Sequence, residues 1–184
     1  MITFGLSRTY ILLIGVMLAS PCSLSWGATG VVPKELQIMG WLESVFLRPN
    51  NLRVTAKLDT GAKTSSVHAD KIEHFMKSDA DWVRFEFRPD KDEKPIVLER
   101  PLVRKAVIKE RLSRSSTREV VKLTICKNGR EFETEFTLNN RSNFNYPILL
   151  GRSFLADVAL VDSSHTFMFK AENDPCASKS TKAP

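Results

Sequence analysis

The segment Asp59-Thr60-Gly61-Ala62 is where this chain's residue types best suit chemistry. Leu52, Val54, Ala56 and Leu58 alternate with polar neighbours, the pattern of a half-buried strand that runs straight into Asp59. A rigid strand would deliver the Asp59 carboxylate, and Gly61 would let the backbone turn tightly and approach a substrate. Thr60 can hydrogen-bond locally or across a symmetry axis. Taken alone, the triplet also describes an aspartate that simply opens a turn after a strand. Other chemistries have less support. His68, His74 and His165 are scattered, without a His-Glu-x-x-His pairing, whereas zinc needs three or four converging ligands. The chain has no Gly-rich phosphate loop with Lys-Ser/Thr that would speak for ATP. The expectation is no metal and no cofactor.

The elements that must position Asp59 read as β throughout. Trp82, Val83, Phe85 and Phe87 mark a strand, followed by Ile96 to Leu98 and Leu102 to Ile108. Val120 to Cys126 and Phe132 to Phe136 flank Asn128-Gly129, and both turn residues tolerate positive φ, so a hairpin is predicted. Phe167 and Phe169 alternate again. Helical spacing appears only around Ala69–Met76 and Ser153–Val158. The predicted class is all-β, a small closed barrel or two-sheet structure with one or two short helices.

The chain has 184 residues, enough for one domain. Arg8, the apolar run Tyr10–Ala19 and small residues up to Gly27-Ala28 have the order of a signal peptide. The apolar run is short of the roughly 20 residues of a spanning helix. The boundaries drawn are a signal peptide over 1–27, a leader over 28–36, the domain over 37–170 and a disordered polar tail over 171–184. A periplasmic or secreted protein is expected, with no membrane span once the signal is cleaved; an uncleaved N-terminal anchor is the alternative. The net charge of +6 comes with acidic residues interspersed among the basic ones, unlike the basic stripe of a nucleic-acid binder. Cys22 leaves with the signal. Cys126 and Cys176 then either bridge in an oxidising compartment or stay as one strand thiol and one tail thiol.

Tyr146-Pro147-Ile148-Leu149-Leu150-Gly151-Arg152-Ser153-Phe154-Leu155 resembles the apolar-apolar-Gly-Arg segment of retropepsins. There it threads beside the Asp-Thr-Gly turn. Both motifs occur here in order, and the resemblance covers roughly residues 36–170. Gly40-Trp41, Lys57 through Ser66, Leu138-Asn139-Asn140-Arg141, Leu149 to Arg152 and Val161-Asp162 are more closely similar to a bacterial retropepsin-like family. That family is labelled ATP-dependent zinc proteases and is associated with ATP-grasp peptide ligases.

The resemblance implies a retropepsin-like acid-protease barrel, a single lobe. Asp59 would be catalytic, Thr60, Gly61 and Ala62 would form the active-site turn, and Leu149, Leu150, Gly151 and Arg152 would support it. It also implies the aspartic-protease mechanism. Two facing carboxylates share a proton, one activates water, and the other hydrogen-bonds the peptide carbonyl. One chain supplies one such Asp, so the implied enzyme is a homodimer. The expected partner is a peptide or protein substrate, with no nucleic acid. The alternative is a non-catalytic module that binds peptide or an envelope polymer on the same fold.

The chain departs from the retropepsin pattern in two places. Lys63 stands where retropepsins carry an acid, so Arg152 must find another partner, with Asp157 or Asp162 as candidates. No Gly occurs between Gly61 and Gly129, so a Gly-rich flap is not recognisable. The basic stretch Arg111–Arg118 is either a flap that favours acidic substrates or a solvated loop.

Overall fold

In the strand that carries Asp59, β3 (Leu52–Leu58), Val54, Ala56 and Leu58 are buried while Thr55 and Lys57 are half-buried. Period-two alternation therefore puts one set of side chains in a core and leaves the other facing out. The computed structural model describes residues 35–109 and 115–178. The expected signal peptide, most of the leader, the segment 110–114 and the last six residues lie outside them.

The elements before the Asp59 strand are β1 (Gln37–Gly40) and β2 (Leu42–Leu47). After it come β4 (Ser65–His68), β5 (Asp70–Lys77), β6 (Ala80–Phe87), β7 (Ile96–Pro101) and β8 (Arg104–Lys109). Next are β9 (Ser115–Lys127), β10 (Arg130–Asn139) and β11 (Ile148–Leu150). The short helix α1 (Arg152–Leu155), β12 (Ala159–Asp162), a 3-10 turn over Ala171–Asn173 and a second short helix, α2 (Pro175–Ser178), complete the order.

Six strands close on themselves in the order β10-β4-β11-β3-β2-β9, with β9 pairing back to β10. The β10–β4 and β11–β3 pairings are parallel and the rest antiparallel. Closure leaves these strands without free edges. Strand β8 extends the sheet beyond the ring along the first half of β9. Strands β5, β6 and β7 form a separate antiparallel sheet, and β1 pairs in parallel with β12. One core fills the barrel, drawing Val45, Ala56, Val67, Leu123, Phe136 and Ile148 from its six strands. Each of these side chains larger than alanine contributes about 1.5–3 kcal/mol on burial. The all-β class with two short helices is what the sequence pattern predicts, and of its two alternatives the closed barrel, which the retropepsin resemblance implies, is the one observed.

Three local expectations are corrected. Residues Ala69–Met76 do not form a helix; Asp70–Lys77 is strand β5. Its pairing with β6 shifts register between Asp70 and Glu73, and such a bulge breaks the period-two signal. Phe167 and Phe169 do not lie in a strand, and Phe167 has φ of +50°. The chain beyond residue 170 is not a loose tail as far as Ser178. Ala171 and Cys176 are buried against Phe46 and Cys126, on the side of β2 and β9 away from the barrel core. A disulfide joins Cys126 to Cys176, with Cα atoms 5.7 Å apart. Asp174 accepts hydrogen bonds from the backbone N–H groups of Asn128, Gly129 and Cys176. It thereby satisfies the hairpin turn, where Asn128 and Gly129 both have positive φ.

A buried ion pair ties the same region together. Lys127 Nζ lies 3.0 Å from Glu43 Oε2, both side chains almost wholly enclosed. The other Glu43 oxygen accepts the N–H groups of Gly40 and Met168. Removing either partner would strand a buried charge.

Candidate active site

Strand pairing continues past the last residue of β3 into the turn. Leu58 donates its N–H to the Trp41 carbonyl and Asp59 donates to the Leu150 carbonyl, each at 2.9 Å. The Asp59 backbone is thus fixed between the end of β11 and the β1–β2 junction. Its side chain is fixed as well. Oδ1 accepts the N–H of Gly61 at 3.0 Å and of Ala62 at 3.2 Å, so the carboxylate folds back over its own turn. Gly61 is not in the left-handed region. The smallest side chain there would instead bring its Cβ to 3.2 Å from Asp59 Oδ1. The residue is small because the carboxylate lies over it.

The Gly151-Arg152 segment supports this turn from behind. A Cβ on Gly151 would sit 2.7 Å from the carbonyl carbon and oxygen of Thr64, a clash with backbone that only glycine avoids. The Gly151 N–H donates to Ser65 Oγ at 3.1 Å. Arg152 and Ser153 donate their N–H groups to the Ala62 and Lys63 carbonyls. The Arg152 guanidinium donates to the Thr60 and Gly61 carbonyls, both at 2.9 Å. Arg152 therefore finds its partners in the turn's own backbone. Asp162 is engaged elsewhere, accepting from Ser164 and lying 2.8 Å from His165 Nδ1. Those bonds, led by the Ser164 hydroxyl, hold its carboxyl down at about 2.

Residues to which sequence reading gave no individual role complete the site. Lys57 shares the outward face of β3 with Asp59, and its ammonium lies 3.3 Å from Asp59 Oδ2. Burial alone would raise the Asp59 carboxyl. The bond from Lys57, the Gly61 N–H, the Lys57 charge and the Ala62 N–H outweigh it, and the carboxyl is held below its ordinary value. Arg141 is a buried guanidinium that donates to Ser66 Oγ at 2.9 Å and to the Tyr146 carbonyl at 3.1 Å. Its own pKa is lowered by burial and by Arg118, with the Asp59 charge partly offsetting them. Strand parity was the available signal for Lys57. The Arg141–Ser66 bond spans 75 residues and left no local signal.

The histidines hold protein partners. His68 Nδ1 accepts the Arg141 N–H, which leaves Nε2 to carry the proton toward Asp70, 3.1 Å away. His74 pairs with Glu119. Among the described residues no three His, Cys, Asp or Glu side chains converge as a metal cluster. A cleft of about 380 Å³ lies next to the Arg141 cluster, lined by Thr55, His68, Arg88, Arg141, Phe144 and Tyr146 among others. Thr55 lies on the same β3 face as Lys57 and Asp59 but four residues earlier than Asp59, and neither Lys57 nor Asp59 lines the cleft. Its size suits one or two side chains rather than a whole peptide. Of the basic flap candidate, Ser115–Arg118 forms the start of β9, paired with β8.

Comparison with known proteins agrees with this geometry. Residues 38–172 match the RimB-like family, described as retropepsin-like aspartic endopeptidase RimB. Over 123 residues the chain is 36% identical to a Shewanella pealeana protein described as "Probable alpha-L-glutamate ligase", a stretch that is 66% of this chain and 27% of that protein. A Desulfotalea psychrophila protein of the same description is 35% identical over 111 residues, 59% of this chain and 24% of that one. The chain thus spans about a quarter of the length of the curated relatives it matches. A solved Legionella pneumophila protein of unknown function (DUF785) superposes with a TM-score of 0.63 at 34% identity, covering 73% of this chain and 98% of that chain. With its matched region containing both the Asp59 turn and the Gly151-Arg152 support, the chain belongs to the RimB-like family of retropepsin-like aspartic endopeptidases.

Proposed function

We propose that this protein is a periplasmic aspartic endopeptidase that works as a homodimer, with one Asp59 from each copy forming the dyad. The observation that carries the reading is the Asp59 turn. A partly exposed carboxylate is clamped by two backbone N–H groups on a barrel strand, and Arg152 and Gly151 brace the turn from behind. Thr60 and Gly61 at its tip are exposed and can face a second copy. Across a two-fold axis, two such turns would bring two carboxylates together. One would take a proton from water, the water would attack the peptide carbonyl, and the shared proton would pass to the developing oxyanion. The cleft beside Arg141 carries Arg88, Lys91 and Arg141 along with Asp70 and Asp90, and its three cations could receive a peptide with acidic side chains. Such a substrate also fits the similarity to proteins named as glutamate ligases. The Cys126–Cys176 bridge and the signal-like N-terminal sequence support an oxidising compartment.

The test is Asp59→Asn. It should abolish peptide cleavage while circular dichroism and unfolding stay close to wild type, and light scattering should report a dimer under assay conditions. Full cleavage by Asp59→Asn would overturn the reading. A second reading, a non-catalytic peptide-binding module, draws on one observation: within a single chain Lys57 already satisfies Asp59. A strict monomer that binds acidic peptide without cutting it would favour that module.

A further inference from the structure

We propose that Lys57 is the positioning residue of the Asp59 pair, holding the free carboxylate oxygen in place and supplying the charge that lets two facing aspartates ionise more readily than an uncompensated pair. The inference rests on the dimeric reading above and adds to it a residue that the aspartic mechanism does not itself require.

The geometry is specific to the two oxygens. Oδ1 of Asp59 is occupied by the Gly61 and Ala62 N–H groups, and Oδ2 faces the Lys57 ammonium at 3.3 Å. Lys57 and Asp59 are two residues apart along an extended chain, so strand parity places them on one face. A one-residue slip of the strand would carry both to the core face together, so the pair is kept whenever the register is. Among the described residues, Lys57 pairs with no acid except Asp59. The other charged groups around the turn act differently. Arg152, on α1, spends its guanidinium on the Thr60 and Gly61 carbonyls. Arg141, between β10 and β11, is bonded to Ser66 and Tyr146 and reaches Asp59 only through space, with Arg118 of β9 behind it. Lys63 is exposed beyond the turn. Glu43 of β2, opposite Ala56, is turned to Lys127. Among the described residues Lys57 is the one cation in contact with the carboxylate.

The consequence for a dyad follows from its charges. Two carboxylates in contact resist double ionisation, so the second proton is held to higher pH, and the pair titrates as a unit. A lysine beside each carboxylate offsets that repulsion, and both steps move to lower pH. The window in which one proton is shared, and hence the window of activity, moves with them. Removing the lysine must therefore shift the bell-shaped pH–rate profile upward, and a conservative cation must keep it in place.

The experiment compares full-length wild type, Lys57→Met and Lys57→Arg. The first readout is carboxyl 13C NMR titration of Asp59, assigned with Asp59→Asn. The second is the pH profile of kcat/KM on denatured casein. Met keeps most of the lysine stem at a half-exposed position, so the fold should survive. In Lys57→Met the Asp59 midpoint and both limbs of the profile should rise by at least about half a pH unit, the scale for a partly screened contact charge. Lys57→Arg should stay within about 0.2 unit of wild type. A Lys57→Met midpoint that coincides with wild type, or a Lys57→Arg profile that follows Lys57→Met, overturns the assignment. A wild type that cuts nothing at any pH, yet whose Asp59 midpoint rises in Lys57→Met, supports the Lys57 contact and overturns the protease reading instead.

Discussion

Asp59 has no freedom to choose its rotamer, because the backbone amides of the residues that follow it occupy one oxygen. The turn is in turn held by a glycine 90 positions later in the chain. Gly151 passes so close to Thr64 that any side chain there pushes directly on the Thr64 peptide. Gly151→Ala should therefore cost about 1–3 kcal/mol in urea unfolding, the range for a forced overpacking. Peptide cleavage should fall further than stability does, since the displaced Thr64 peptide lies in the segment that carries the turn into β4. An alanine variant with wild-type midpoint and activity would show that Thr64 yields freely. At this scale the sequence displayed the principal residues, Asp59 and the Gly151-Arg152 pair, because each sits in a compact motif. It did not display Arg152's partners. A missing acid at Lys63 suggested a search for another acid, whereas the guanidinium bonds carbonyls, which every residue carries and no sequence marks.

Among the elements, legibility followed regularity. Strand β3 and the β9–β10 hairpin alternate cleanly and close on Asn128-Gly129, and both were readable. Strand β5 was not, because its bulge spaces Ile72, Phe75 and Met76 like one face of a helix. The terminal segment was the largest departure. Its composition is polar, but four of its atoms do structural work that hydropathy cannot register: the Cys176 sulfur, both Asp174 oxygens and the Cys176 N–H. The bridge closes a loop across 50 residues, for which chain entropy in the unfolded state predicts about 4 kcal/mol of stabilisation. Cys176→Ser should lose several kcal/mol and free residues 171–178 to proteolysis, while cleavage by the remaining folded fraction should be little changed, because the clasp lies against β2 and β9 rather than at the Asp59 turn. Loss of the Asp59 turn in that variant, seen as disappearance of Asp59 amide protection with the barrel intact, would contradict this separation.

For the molecule as a whole, the ring of six strands explains why one chain can present a rigid Asp59 without a second lobe. It also sharpens what a dimer must supply, which is a second carboxylate and no part of the barrel. If each site takes one Asp59 from each copy, an equal mixture of wild type and Asp59→Asn that has exchanged subunits retains only about a quarter of its dimers with two aspartates. Specific activity per wild-type chain should then fall by about half on mixing, whereas independent single-chain sites would show no change. Fold class was the most legible property at this scale, since alternation, turns and length all agreed on an all-β domain, and the retropepsin resemblance chose the barrel over two sheets. Assembly was the least legible, because symmetry is written in surfaces rather than in periodicity. The match to the family ends at residue 172, while the cysteine that completes the bridge is Cys176. The bridge therefore ties a segment beyond the family match back onto the barrel wall, so α2 is fastened to the domain by a covalent bond rather than by packing alone.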